Sequence, residues 1–173
     1  VEKEPSRTSL FFIGTPNQPW HGVDIITNMA TEMPEYDFHV VGIDGESTGN
    51  IYWHGYLQKN EYLEVLKKCH ICIGSLALYR NEMEEACPLK VREYLAYGYP
   101  IIIGYKDTAF TDSDDAKNIF LKIDSQNVAY SEVRNFIESN KNKIVTKDDV
   151  YENISADVIE AKRIAFLESV VEV

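Results

Sequence analysis

The sequence predicts a single α/β domain of Rossmann-like type, a parallel sheet of about six strands with helices on both faces. Three observations predict it. Short apolar runs alternate with longer amphipathic stretches from one end of the chain to the other. Runs such as SLFFIG (Ser9 to Gly14) and IIIG (Ile101 to Gly104) show no polar alternation, as strands covered on both faces do not. The 173 residues, 45% of them hydrophobic, suffice for one domain with a real core.

Taken in order, Ser9 to Gly14 is the first strand, followed by the loop TPNQPWHG. Val23 to Met33 carries helical periodicity and Pro34 ends it. DFHVVG (Asp37 to Gly42) and IYWHG from Ile51 are the next two strands, and Lys59 to Cys69 is an amphipathic helix with Tyr62, Leu63, Val65 and Leu66 on its apolar side. His70 to Ser75 is a fourth strand, Ile101 to Gly104 a fifth, and NIFLKI (Asn118 to Ile123) a sixth. Val128 to Ile137 reads as helical and SNKNKIVTKDD as a polar connector. Ser155 then caps a last helix to about Val171, with Val158, Ile159, Ile164, Leu167 and Val171 as expected core contacts.

Composition narrows the function classes. A net charge of −11 argues against nucleic acid or an anionic membrane as the main partner, although a local basic cluster could still hold a phosphate. No apolar run approaches the ~20 residues that span a bilayer. The chain begins at Val1, not Met, and is expected to be a piece of a longer protein. CHIC (Cys69 to Cys72) matches C-x-x-C, yet with Cys87 as the remaining cysteine no second pair completes a zinc site. The pair also falls at a helix end, whereas a redox pair favours a helix N-terminus, so core cysteines in a reducing compartment are expected.

The chain is organised around EACPLKVREYLAYGYP, Glu85 to Pro100. Pro88 is expected as the first helical residue, and Gly98 with Pro100 as the helix stop. The open amides near Leu89 and Lys90 then face outward at the positive end of the helix dipole, a ready anion site. Glu85 precedes that end and Glu93 follows it by just over one turn. A ligand laid across it could give one diol to Glu85, its phosphates to the amides and another diol to Glu93, because a carboxylate accepts hydroxyl donors. Two solvated glutamates favoured by the dipole fit the spacing as well.

E-x7-E from Glu85 to Glu93, followed by YLAYGYPIII, resembles the nucleotide-sugar half of retaining GT-B glycosyltransferases of the large family-4 group. The likeness extends over FFIGTPNQPWHGVDIITNMATEMPEYDFHVVG and NIYWHGYLQKNEYLEVLKKCHICIGS to the last helix. The resemblance implies that Glu85 holds hydroxyls of the donor sugar and is the catalytic candidate, and that Glu93 takes the ribose hydroxyls. It implies that the backbone at Pro88, Leu89 and Lys90 meets the diphosphate, that Gly14 and Thr15 face the phosphates, and that the Trp53–Tyr56 turn lies near the base. His54, in that turn, joins the donor-side candidates; with His70 it also reads as structural. No metal and no separate cofactor are implied, the substrate being a nucleoside-diphosphate sugar whose charge is met by amides and basic side chains.

The chain departs from that pattern at two places. Relatives put an arginine just after the first strand's glycine and a lysine before the next helix; Thr15 and His21 stand there, and His21 is only partly cationic near neutrality. Arg80, Lys90 or Arg92 could compensate. Trp20 reads as packing. One domain's length implies that the acceptor-binding N-terminal domain is absent, so that residues 1–173 form a donor-binding domain inactive alone, cytoplasmic, and membrane-peripheral if the absent half is. The alternative is a non-catalytic nucleotide or nucleotide-sugar binding module, which keeps Glu93 and does not require Glu85. A receiver's acidic cluster and the G-x-G-x-x-G of a dinucleotide site are both missing from TPNQPWHG.

Overall fold

A computed structural model describes residues 7–110 and 118–171. Six parallel strands form one sheet in the order β3-β2-β1-β4-β6-β8, with β1 Ser9–Ile13, β2 Asp37–Val41, β3 Ile51–Trp53, β4 Ile71–Ile73, β6 Ile101–Ile103 and β8 Phe120–Lys122. The fold is the expected Rossmann-like α/β sheet. The central strand β1 pairs with β2 from Ser9↔Asp37 to Ile13↔Val41, and with β4 through Leu10↔Ile71 and Phe11↔Cys72.

Because successive side chains of a strand point to opposite faces, β1 feeds two cores. Leu10 and Phe12 pack on one face with Ile26 and Met29 of α1 (Val23–Glu32) and with Val133, Phe136 and Ile137 of α4 (Tyr130–Asn140). Phe11 packs on the other with Leu66 of α2 (Lys59–Leu66), with Val91, Tyr94 and Leu95 of α3 (Leu89–Ala96), and with Val150 of α5 (Lys147–Ile154). Strands buried on both faces explain the unbroken apolar runs of the sequence.

Several expectations change in detail. Pro88 is not the first helical residue: at φ −70° and ψ 140° it is the N-cap, and Leu89 opens α3. The helix stop is as expected, Gly98 taking the left-handed φ of 89° that glycine tolerates. The polar connector contains a helix, α5, started by a reciprocal cap in which the Asp149 N–H donates to Thr146 Oγ1 while Asp149 Oδ2 accepts from the Thr146 N–H. The last helix, α6 (Ala156–Val171), forms as expected but buries none of its residues: Ile159 and Leu167 are about half exposed and Val171 is 81% exposed. Its apolar residues are distributed around the whole helix, so no single face defines a seam.

A further element was not foreseen. Glu85 and Ala86 form a two-residue strand, β5, paired in parallel with β7 (Lys106–Asp107) as a separate ribbon beside the main sheet. Glu85 thus lies on a strand and not in an open loop.

Candidate functional site

From β1 the chain steps to β2 and β3 in one direction, and from β4 to β6 and β8 in the other, so the switch in strand order falls between β1 and β4. Crevices outside the carboxyl ends of strands at such a switch are where open α/β sheets receive ligands. A cavity of about 570 Å³ opens there, floored by Ile13, Gly14, Val41 and Gly42 and walled by Thr15, His21, Lys90 and, from the α2 side, Tyr56, Leu57, Lys59 and Tyr62.

The floor is drawn tight. The Gly14 N–H donates to Val41 O at 3.0 Å and the Gly42 N–H to Gly55 O at 2.7 Å. Gly42 has a φ of 83°, and a Cβ there would stand 2.0 Å from the Gly14 carbonyl oxygen, so only glycine fits.

Lys90 and His21 meet on the wall. Lys90 Nζ donates to Ile13 O at 2.9 Å, lies 3.3 Å from His21 Nδ1 and stands 4.4 Å from the centroid of the Phe12 ring. His21 Nε2 accepts from the Thr15 N–H at 3.3 Å, and Nδ1 is 3.4 Å from Ser75 Oγ. A ring nitrogen that accepts leaves the proton of a neutral imidazole on Nδ1. That N–H points at Lys90 and Ser75, an arrangement that suits an uncharged amine. Burial pushes Lys90 down to about 7, and burial followed by the charge of Lys90 pushes His21 down to about 4. His21 is thus a neutral orienting group near neutrality, and Lys90, with Lys59 across the cavity, is a cation-forming residue of the wall.

Glu93 enters from behind α2. Tyr62 Oη donates to Glu93 Oε1 at 2.8 Å and Lys59 Nζ lies 3.4 Å from the same oxygen. Burial and the bond to Glu93 push the Tyr62 phenol up to about 12, so it stays a donor. Lys59 and Tyr62 are functional candidates that sequence reasoning missed: Tyr62 was counted with the apolar face of its helix, and Lys59 carried no local signal.

The first backbone bonds of α3 run from the Val91 and Arg92 N–H groups to Pro88 O, leaving the amides of Leu89 and Lys90 open as expected. The structure therefore gathers Gly14, Thr15, His21 and Lys90 around one cavity, with Glu93 linked to it through Tyr62 and Lys59. The other expected residues stand elsewhere. Glu85 is half exposed on β5, 3.5 Å from Lys106 Nζ. Arg80 donates to both carboxylate oxygens of Asp24, at 2.8 and 2.7 Å, and to Pro19 O at 3.0 Å. It lines a separate cavity of about 310 Å³ on the other side of the Thr15 loop. His54 Nε2 is 3.0 Å from His39 Nδ1, and His39 stacks on Tyr52. His70 Nδ1 accepts from the Ser9 N–H at 3.1 Å, a structural role. Cys69 and Cys72 are buried, and burial raises both thiols, Cys69 to about 12, so neither is a ready thiolate.

Among the described residues no three His, Cys, Asp or Glu side chains come together, and no helix is long and apolar enough to cross a membrane. No protein-family model and no curated protein matches the chain. Among solved structures, the chain is similar to one described as the glycotransferase of kitacinnamycin, at 12% identity and a TM-score of 0.49. The match covers 86% of this chain and 38% of that one, so the chain spans well under half of that protein's length.

Proposed function

We propose that this chain is the donor-binding domain of a glycosyltransferase, one half of a GT-B fold, that presents a nucleoside-diphosphate sugar to an acceptor held by a second domain. The observation that carries the reading is Lys90. It is a largely enclosed amine at the first turn of α3, it has no carboxylate partner among the described residues, and it stands at the switch-point cavity one turn before Glu93. Such a group lacks a counter-charge, and a diphosphate resting on the open amides of Leu89 and Lys90 supplies one.

In this reading the pyrophosphate lies between the α3 amides, Lys90 Nζ and the Gly14–Thr15 turn. Glu93 Oε2 accepts from the ribose hydroxyls, Oε1 being taken by Tyr62. Glu85 accepts hydroxyls of the sugar, and Lys59 lies close enough to screen the added charge. Phosphate charge is met by amides and ammonium without a metal, and transfer proceeds with retention once the acceptor domain encloses the sugar. The location that goes with this is cytoplasmic.

Calorimetry of the chain against UDP, GDP and ADP, each bare and carrying its common sugars, without added metal, tests the reading. One diphosphate is expected to bind and its sugar-bearing form to bind more tightly. Glu93→Ala is expected to weaken both by roughly 1.5–3 kcal/mol, the scale of a charge-assisted hydrogen bond, and Glu85→Ala only the sugar-bearing form. Equal losses of the bare nucleotide in both variants would refute the two-ended placement. A non-catalytic binding module is the second reading, favoured by the exposure of Glu85 and its pairing with Lys106. Sugar-independent binding with Glu85→Ala silent supports it.

A further inference from the structure

The carboxylate assigned to the sugar lies on the weakest element of the domain. The β5–β7 ribbon has only two paired rungs, Glu85↔Lys106 and Ala86↔Asp107, and it is not part of the main sheet. Its backbone ties are equally short, the Lys106 N–H donating to Glu84 O at 2.9 Å and the Thr108 N–H to Ala86 O at 3.1 Å. A two-stranded ribbon of this size has no stability of its own. Something else must fix where Glu85 stands.

The side chain that does so is Asp107, the residue opposite Ala86. It is 2% exposed, and its Oδ2 accepts from Nη2 of Arg92, itself only 14% exposed. Asp107 Oδ1 accepts from the Ala109 N–H at 3.0 Å, and the Arg92 guanidinium packs 5.4 Å from the Phe110 ring centroid. Arg92 neighbours Glu93 on α3. One ion pair therefore connects the helix turn that carries Glu93 to the rung beside Glu85. Two enclosed charges cost desolvation, and an apolar pair of similar volume would hold the ribbon as firmly. A charge-assisted hydrogen bond does fix one geometry, because the planar guanidinium donates to its carboxylate along set directions.

We infer that Arg92 and Asp107 are a positioning pair: they set Glu85 at the separation from Glu93 that a nucleotide sugar spans, and neither touches the ligand. The inference rests on the donor-site reading above. Neither Glu85 nor Glu93 lies on a strand of the main sheet, and the Arg92–Asp107 bond is the side-chain ion pair joining the ribbon to α3 among the described residues. Arg92 Nε and Nη1 are buried without hydrogen-bond partners among the described residues, so the contact with Asp107 runs through Nη2 alone.

The test is the sugar increment, the factor by which a nucleotide sugar binds more tightly than its bare diphosphate. UDP with UDP-glucose, GDP with GDP-mannose and ADP with ADP-glucose serve as probes. Asp107→Asn is expected to reduce the increment to that of Glu85→Ala, about tenfold or more if a charged hydrogen bond is lost, while bare-nucleotide affinity stays within about twofold. The double variant Arg92→Met with Asp107→Leu removes both charges without stranding one, so it keeps the test open if Asp107→Asn does not fold. It is expected to retain the melting temperature and still lose the increment. An unchanged increment in a folded variant, or parallel loss of both affinities, overturns the positioning role and leaves the donor-site reading standing. Absence of any increment in the unsubstituted chain overturns both.

Discussion

Binding of a diphosphate to this cavity is expected to take up a proton. Lys90 is held near 7 by burial, so at pH 8 about one molecule in ten carries the ammonium. The His21 Nδ1–H directed at Nζ, 3.3 Å away, suits the uncharged amine. The other ionisable groups nearby do not offset this: Tyr94 accepts the Ile13 N–H, and Glu93 is engaged by Tyr62 and Lys59. A phosphate dianion restores the charged form, so affinity for a nucleoside diphosphate should fall about tenfold, or ~1.4 kcal/mol, per pH unit above 7. Calorimetry at pH 8 in buffers of differing ionisation enthalpy should give close to one proton taken up per ligand bound. Lys90→Arg, which stays charged, should bind without uptake and flatten the slope. In the empty protein the sign is set by the depressed Lys90: between about 7 and 10.5 the native state binds fewer protons than the unfolded chain, so stability rises with pH across that window. Lys90→Met, relieved of that penalty, should be more stable than the parent at pH 7 by up to a few kcal/mol while losing the anion. A diphosphate that binds with no proton uptake and equal affinity at pH 7 and 9 would refute the reasoning.

Three further outcomes are expected. Tyr94→Phe removes the phenol that accepts the Ile13 N–H at 3.0 Å inside the core and should cost about 1–3 kcal/mol in urea denaturation; a change within error would mean the amide finds another acceptor. Gly42→Ala drives a Cβ toward the Gly14 carbonyl at a φ of 83° and should cost on the order of 3 kcal/mol, with the melting temperature as the check. His39 and His54, both pushed down first by burial, favour the neutral native state, so stability present above their ordinary 6.5 should be lost as pH falls below it. Their facing charges are Asp37 and Lys68, and His54→Asn should flatten that acid slope in urea titrations between pH 7.5 and 5.

The sheet was legible because each strand writes its burial into consecutive residues: SLFFI and III need no partner to be recognised. What sequence could not place was assembled across long separations. His21 and Lys90 lie 69 residues apart and meet because the turn after β1 and the first turn of α3 share the switch between β1 and β4. Tyr62 looked apolar because a phenol is mostly ring, and its hydroxyl matters only once α3 brings Glu93 within reach. α5 was missed for a local reason: Thr146 and Asp149 have the capping-box spacing, but polar neighbours hid the buried Val145 and Val150. In α6, apolar residues without a single face were taken for a core seam, and no described element covers them.

At the centre of the cavity floor Gly14 stands against Gly42, while the chemically distinct groups stand on its rim. Evolution and the protein engineer therefore meet a divided surface. The two floor glycines tolerate almost no change, because a Cβ at Gly42 would collide with the Gly14 carbonyl and one at Gly14 with the Phe12 and His21 rings. The rim is permissive: Thr15 is solvent-facing and Tyr56 is 84% exposed, so neither carries the packing. Changes at Thr15 and Tyr56 can then alter the lining of the cavity with little threat to the domain that displays them.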